Sequence, residues 1–398
     1  MKKYIYILFT LSILFYSSFV YANSIDIKSD KAIVYNLNDD NIIYEKNSNE
    51  ETKIASLTKI MTAIVSIENI KNLDDKVTVK YGDLIGLTGY AKAGFNIGEE
   101  VTYKDLLYAL MLPSGADAAQ ILANNISGSI DEFVLLMNKK VKDLKLEHTK
   151  FSNPVGMDED NYSTASDMAI ILKNAIKNET FKEIFGTNEY TTSNNLKLSK
   201  TTYKTALMYN LDISNINGSK TGYTDIADYC LASVATIDDV KYLAITLNAK
   251  KVPNHIEDTL HLYNYFSSNY SYLPILNKNK KLVTLKVKYG KVKTYDIKSN
   301  KTIKKYLKNA TDLKSIKYNY KGVDTLNRKI KKGDYLGKVT ISYEGNTLDV
   351  YKVYLDADIK YINFYLIGGI ILLIIMLIIC IYKKLKKRKR KKRKISRR

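Results

Sequence analysis

Ser56 and Lys59 stand three residues apart in Ala55-Ser56-Leu57-Thr58-Lys59-Ile60-Met61, at the start of an apolar-periodic stretch. On a helix that spacing puts both side chains on one face, near each other. A serine hydroxyl is a poor nucleophile at neutral pH. An amine can take its proton only if the amine's pKa falls well below its free value near 10.4. Burial or a second nearby cation does that. Two more short motifs follow. Pro113-Ser114-Gly115-Ala116-Asp117 comes after the apolar run 106–112 and opens another helix-like stretch. Gly218-Ser219-Lys220-Thr221-Gly222-Tyr223-Thr224 stands in front of a strand-like run around 229–235. Each has a plain structural reading alone: a solvated helix face for Ser56 and Lys59, an N-cap for Ser114, a turn with a charged rim for Lys220, Thr221 and Gly222. Their joint occurrence, in this order in one exported domain, favours chemistry over those readings.

The elements that must position these groups are legible in outline. Helix-like periodicity covers 56–70, 103–110, 114–125, 130–144 and 166–178, and strand-like runs cover 32–36, 41–45, 229–236 and 241–248. Residues 53–266 are therefore of mixed α and β character. Beyond Pro274 the pattern changes. Val283, Leu285, Val287 and Tyr289 alternate with polar residues, as do Val339, Ile341 and Tyr343 ahead of Glu344-Gly345-Asn346. That alternation predicts a small all-β domain with no candidate catalytic cluster.

The 398 residues carry a formal charge of +21, which suggests a nucleic-acid binder until the charges are located. Thirteen Lys and Arg fall in 383–398, and Lys2 and Lys3 lie in an apolar leader, so the remainder carries only +6. No nucleic-acid partner is expected, because a basic block beside a membrane span has a topological explanation. Met1-Lys2-Lys3, the apolar run 4–20 and Val20-Tyr21-Ala22 read as a secretory signal peptide over 1–22, with an uncleaved first membrane helix as the alternative. Residues 364–382 hold no charge and, at about 1.5 Å per residue, extend roughly 28 Å, enough to cross a bilayer. The basic tail 383–398 then lies in the cytoplasm and the domains outside. Two cysteines and three histidines argue against a disulfide framework and a His-rich metal site. Cys230 and Cys380 read as packing residues, and His148, His255 and His261 as structural or helix-surface residues.

The order Ser-x-x-Lys, Ser-x-x, Lys-Thr-Gly is the motif set of active-site serine penicillin-binding proteins and class A β-lactamases. Together with Asn153-Pro154-Val155-Gly156-Met157 and Tyr162-Ser163-Thr164-Ala165-Ser166-Asp167-Met168, it makes nearly the whole chain resemble the low-molecular-weight penicillin-binding proteins that act as D-alanyl-D-alanine carboxypeptidases. The resemblance implies an α+β fold: a penicillin-binding/β-lactamase-like catalytic domain, with an antiparallel sheet, helices on both faces and a helical subdomain. The expected organisation is leader 1–22, catalytic domain 23–272, β domain 273–360, transmembrane helix 364–382 and tail 383–398.

The resemblance also assigns roles. Ser56 would attack the penultimate D-alanine carbonyl of a peptidoglycan stem peptide ending in D-Ala-D-Ala, Lys59 would be its general base, and Ser114 would relay the proton to the leaving amine. Lys220 would keep Lys59 neutral and, with Thr221, attract the terminal carboxylate. Gly222 would let substrate lie along a strand edge, and the Ser56 and Tyr223 N–H groups would hold the oxyanion. β-Lactam antibiotics would be covalent inhibitors. No cofactor and no metal is implied. Two departures stand out. Ala116 replaces the family's usual Asn, with Asp117 either a polar substitute for it or, as the resemblance favours, a residue that packs and caps beneath the site. The family's carboxylate-binding Arg has no obvious counterpart, leaving a Lys of Lys250-Lys251 or His255 in its place. A β-lactamase, a DD-endopeptidase and a catalytically weak peptidoglycan-binding protein remain as alternatives.

Overall fold

The computed structural model describes residues 25–156 and 161–395; the expected leader, Met157 and the end of the basic tail lie outside the described residues. The chain divides into two compact units between Ser268 and Asn269. That division precedes the one expected at 273, because strand Tyr270–Leu276, which contains Pro274, already pairs with Ile303–Lys308 of the second unit.

The first unit is built on a five-stranded antiparallel sheet. Lys31–Asn36 pairs with Asn41–Lys46 on one side and Val240–Ala249 on the other. Val240–Ala249 then pairs with Asp228–Ile237, which pairs with Ile216–Thr224. Asn41–Lys46 and Ile216–Thr224 are the two edges. Val240–Ala249 is buried over nearly its whole length, as expected of a central strand covered on both faces. It is joined to Asp228–Ile237 by Asp238 and Asp239, both at positive φ, which is the two-residue hairpin turn whose twist matches the strands.

The helices occupy the expected places, with two differences that matter. The stretch expected as a helix over 56–70 begins as a 3-10 turn, Ala55–Leu57, and becomes α-helical over Thr58–Asn69. This helix is buried all round from Thr58 to Ser66, so it is a core helix rather than a surface one with a solvated face. The second helix starts at Ala116, with Gly115 at the N-cap position; Ser114 sits before it in the left-handed region (φ 68°) and does not cap. Lys220-Thr221-Gly222 lies inside the edge strand Ile216–Thr224, so the turn reading of that motif fails.

The second unit is β-rich. Lys317–Gly322, Tyr335–Tyr343 and Asn346–Tyr354 form one antiparallel sheet, and Lys281–Val287 pairs with Thr294–Lys298 and Thr325–Leu326. Leu285, Ile297, Leu336, Val339, Ile341 and Val353 are among its buried core. The expected alternation holds to Val287. Tyr289 leaves the strand at positive φ (58°) and is exposed. A helix follows over Phe364–Ile395, and its segment Phe364–Lys389, of mean hydropathy 3.1 in its most apolar window, is not buried anywhere in the protein. Charge is unevenly divided. Residues 23–269 hold 25 Lys and Arg against 33 Asp and Glu, whereas 270–361 hold 22 against 8. The net figure of +6 conceals this opposition.

Candidate active site

The site starts from a backbone turn. Ala55 is held at positive φ (45°), which projects Ser56 out of the 3-10 turn at the head of the buried helix. Two glycines make that turn possible. A Cβ on Gly156 would lie 2.1 Å from the Ala55 carbonyl oxygen, and one on Gly222 would lie 3.0 Å from both the Ile54 oxygen and the Ser56 nitrogen. The expected reason for Gly222, room for a substrate along the strand, is therefore incomplete, since its bare backbone is first needed to seat the edge strand on the Ser56 turn.

One helical turn on, the Lys59 Nζ lies 2.9 Å from the Ser56 Oγ and donates to the Val155 carbonyl at 2.8 Å. Lys59 is 1 % exposed. Burial lowers its pKa to about 7, against the opposing pull of the Asp117 carboxylate. A neutral amine in this position donates one proton to Val155 and has its lone pair free for the serine hydroxyl. The loop that supplies Val155 is fixed by Asn153, whose side-chain oxygen accepts from the Val155 and Gly156 N–H groups, and by Thr62, which donates to the Pro154 carbonyl.

The other groups converge from distant parts of the chain. The Lys220 Nζ donates to the Ser114 Oγ at 2.9 Å and to the Thr221 carbonyl at 2.7 Å. Burial, then the charges of Lys59 and Lys200, push the Lys220 pKa well below its ordinary range. Lys200, absent from the sequence reading, is buried too, donates to the Phe185 carbonyl, and has its pKa lowered to about 7 by burial. Asp117 accepts from the N–H groups of Ala93, Gly94 and Phe95, so its carboxylate anchors that loop.

Ser56, Lys59, Ser114, Thr221, Gly222 and Tyr223 line one cleft of about 590 Å³, with Ala116 in its wall. Lys220 sits behind that wall, against Ser114. At one end of the cleft Tyr223 stacks on Tyr229, with ring centroids 4.3 Å apart, and Tyr229 stacks on His255 at 5.4 Å. His255 is not a helix-surface residue. It is 2 % exposed, lines the cleft, has its Nδ1 unpartnered, and burial drops its pKa to about 4. Lys250 is held by Asp228 at 2.8 Å, so of the cations proposed for the missing Arg only His255 lines the cleft. The sequence signal for His255 was its place in the first turn of helix Asn254–Asn269; its inward orientation is a tertiary fact.

Comparison with known proteins fits this geometry. The sequence profile of the S11 peptidase family, described as D-alanyl-D-alanine carboxypeptidase, matches residues 18–251, more than half of the chain. The chain belongs to that family. A second profile, the C-terminal domain of penicillin-binding protein 5, matches residues 270–361. The D-alanyl-D-alanine carboxypeptidase DacF of Bacillus subtilis is 32 % identical over 335 residues, covering 81 % of this chain and 84 % of its own. The Streptomyces K15 DD-transpeptidase structure has a TM-score of 0.55 at 30 % identity, covering 60 % of this chain and 97 % of its own. Penicillin-binding protein 5 of Haemophilus influenzae, at 24 % identity and TM-score 0.63 over 84 % of this chain and 98 % of its own, shares the fold. This carboxypeptidase is a serine-type D-Ala-D-Ala hydrolase acting on peptidoglycan.

Two expectations follow for the carboxypeptidase. With Lys59 as the base expected from the sequence, the rate of acylation by a penicillin should rise about tenfold per pH unit up to pH about 7 and level off above it, as measured by stopped-flow labelling. A rate already flat between pH 5 and 7 would show that Lys59 is not the titrating base. A Gly222→Ala variant must push the Ser56 turn by a few tenths of an ångström, and its acylation rate should fall roughly 10-fold to 10²-fold with circular dichroism unchanged.

Proposed function

We propose that Ser56 is the nucleophile and Lys59 its general base. The Ser56 Oγ attacks the carbonyl of the penultimate D-alanine as its proton passes to the Lys59 Nζ. The N–H groups of Ser56 and Tyr223 stabilise the resulting oxyanion; losing one such donor typically costs on the order of 10² to 10³ in rate. As the tetrahedral intermediate collapses, the peptide C–N bond breaks, Ser114 delivers a proton to the leaving D-alanine amine and is reprotonated by Lys220, which is in turn restored by the proton taken up at Lys59. Water then hydrolyses the ester. β-Lactams acylate the same oxygen, in keeping with the family's name. Thr221 and His255 both line the cleft, and this reading assigns them to the terminal carboxylate. The observation that carries this reading is the 2.9 Å contact between the Ser56 hydroxyl and a fully buried amine whose pKa has dropped to about 7.

The apolar helix Phe364–Lys389 is the membrane anchor in this reading, crossing once, with the basic residues that follow it in the cytoplasm and both folded units outside. The domain limits set out from the sequence, with a leader over 1–22, follow the same logic of export and tethering.

Intact-mass analysis after penicillin treatment should show one adduct, mapped to Ser56, with D-alanine released from a D-Ala-D-Ala peptide. A folded chain without an adduct would leave only wall binding. A Lys59→Ala variant should lose labelling by a factor on the order of 10² or more while retaining its fold. The Ala116 methyl offers no hydrogen bond to substrate or to the serine-lysine pair, so Ala116→Asn should raise D-alanine release severalfold while initial labelling stays the same. Unchanged release would show that position 116 does not limit turnover.

A further inference from the structure

The strongest feature outside the cleft is the root of the apolar helix. The turn 288–293 and the loop 327–332 of the second unit meet there. The Ile362 N–H donates to the Tyr289 carbonyl at 2.9 Å, the Lys291 N–H to the Lys360 carbonyl at 2.8 Å, and the Tyr361 hydroxyl to the Asn327 carbonyl at 2.6 Å. The Tyr289 ring packs edge-on to Phe364, the first residue of the helix, with centroids 5.4 Å apart, and the Arg328 guanidinium lies 5.7 Å from the same ring. Two backbone hydrogen bonds, one from a tyrosine hydroxyl and two ring contacts thus fix these loops to the point where the apolar helix begins.

Their side chains combine exposed apolar groups with positive charge. Tyr289 is 56 % and Val292 51 % exposed. Around them Lys288, Lys291, Lys293, Arg328, Lys329 and Lys360 all face solvent, and among the described residues the ion pairs of this unit, Lys281 with Asp296 and Lys305 with Asp349, use none of these cations. The carboxylates near these segments in sequence are Asp296, which pairs with Lys281, and Asp324, Asp334, Asp356 and Asp358; the eight cations of 288–293, 327–332 and 360 outnumber them. Aromatic rings settle at the headgroup level of a bilayer, and clustered Lys and Arg beside a span attract anionic headgroups.

We propose that the turn 288–293 and the loop 327–332 form an interfacial platform that binds the phosphate-bearing headgroups of an anionic bilayer, with Tyr289 and Val292 entering the headgroup boundary beside the span. The proposal rests on the reading of Phe364–Lys389 as a membrane helix and adds a second, electrostatic attachment on the side of the folded units. A lipid surface is the fitting occupant because the platform is continuous with the helix that would enter the membrane. The role is orientation: a span alone leaves the second unit free to tilt, whereas loops seated on the headgroups hold it at a fixed height.

The chain contains no tryptophan, so Val292→Trp creates a single reporter at an exposed position. The full chain carrying it is reconstituted into vesicles of phosphatidylcholine, with and without phosphatidylglycerol, and its emission and quenching by lipids brominated near the glycerol are recorded. A blue shift and quenching in the phosphatidylglycerol vesicles, both weakened by high salt, are expected, since charge screening shortens to about 3 Å at 1 M salt. Each cation at an anionic surface is worth roughly a fivefold change in partition, so Lys291→Glu, Lys293→Glu and Arg328→Glu together should abolish the shift. Arg replacing Lys291 and Lys293 should preserve it, which separates charge from loss of fold. Emission that stays unshifted in chain that floats with the vesicles overturns the platform alone. Equal quenching without phosphatidylglycerol overturns headgroup charge as its basis. Failure to float with either vesicle overturns the membrane reading and the platform together.

Discussion

The chemistry depends on keeping one amine out of water. The three-residue spacing brings the Lys59 amine to the Ser56 hydroxyl, and the burial of the helix that carries it lowers its pKa to about 7, where a neutral amine is populated near neutral pH. Desolvation is costly for folding. Holding Lys59 near 7 when the unfolded chain titrates near 10.5 destabilises the folded state by on the order of a few kcal/mol below pH 7, and this cost fades as pH rises from 7 towards 10.5. Lys220 and Lys200 add to it, since burial lowers both. Three buried amines in one region are a concentration of strain that the large surrounding core must offset.

Backbone geometry gives the dry amine its target. Ser56 rides on a turn forced into shape by Ala55 at positive φ, and two glycines, Gly156 and Gly222, let other segments close over that turn at distances no side chain would allow. The edge strand Ile216–Thr224 then brings Lys220 behind Ser114 while leaving Thr221, Gly222 and Tyr223 at the cleft. An edge strand also has backbone groups that no neighbouring strand claims, which suits recognition of an extended peptide.

The two departures from the family pattern have different physical weight. At Ala116 the amide is simply replaced by a methyl in the cleft wall, with Asp117 committed to the loop 93–95 and unable to substitute. Of the residues considered for the missing Arg, His255 lines the cleft as a buried imidazole stacked on Tyr229, with its pKa lowered to about 4 by burial, whereas Lys250 pairs with Asp228.

The motifs, their order, the helical and strand periods, the change of character beyond the first unit and the apolar helix with its basic sequel were all readable along the chain, because each depends on local spacing and composition. The sequence could also pair Ser56 with Lys59, since three residues on a helix fix their proximity. Tertiary structure alone decided that Ser114 sits at positive φ against Lys220 rather than capping a helix, that Lys220-Thr221-Gly222 is strand rather than turn, that Lys200 joins the buried amines, and that His255 turns inward. Burial and pKa depend on what packs around a group from far along the chain, and one sequence without its folded neighbours carries no measure of that. The same holds for charge. The total told little until folding divided it into an acidic unit and a basic one.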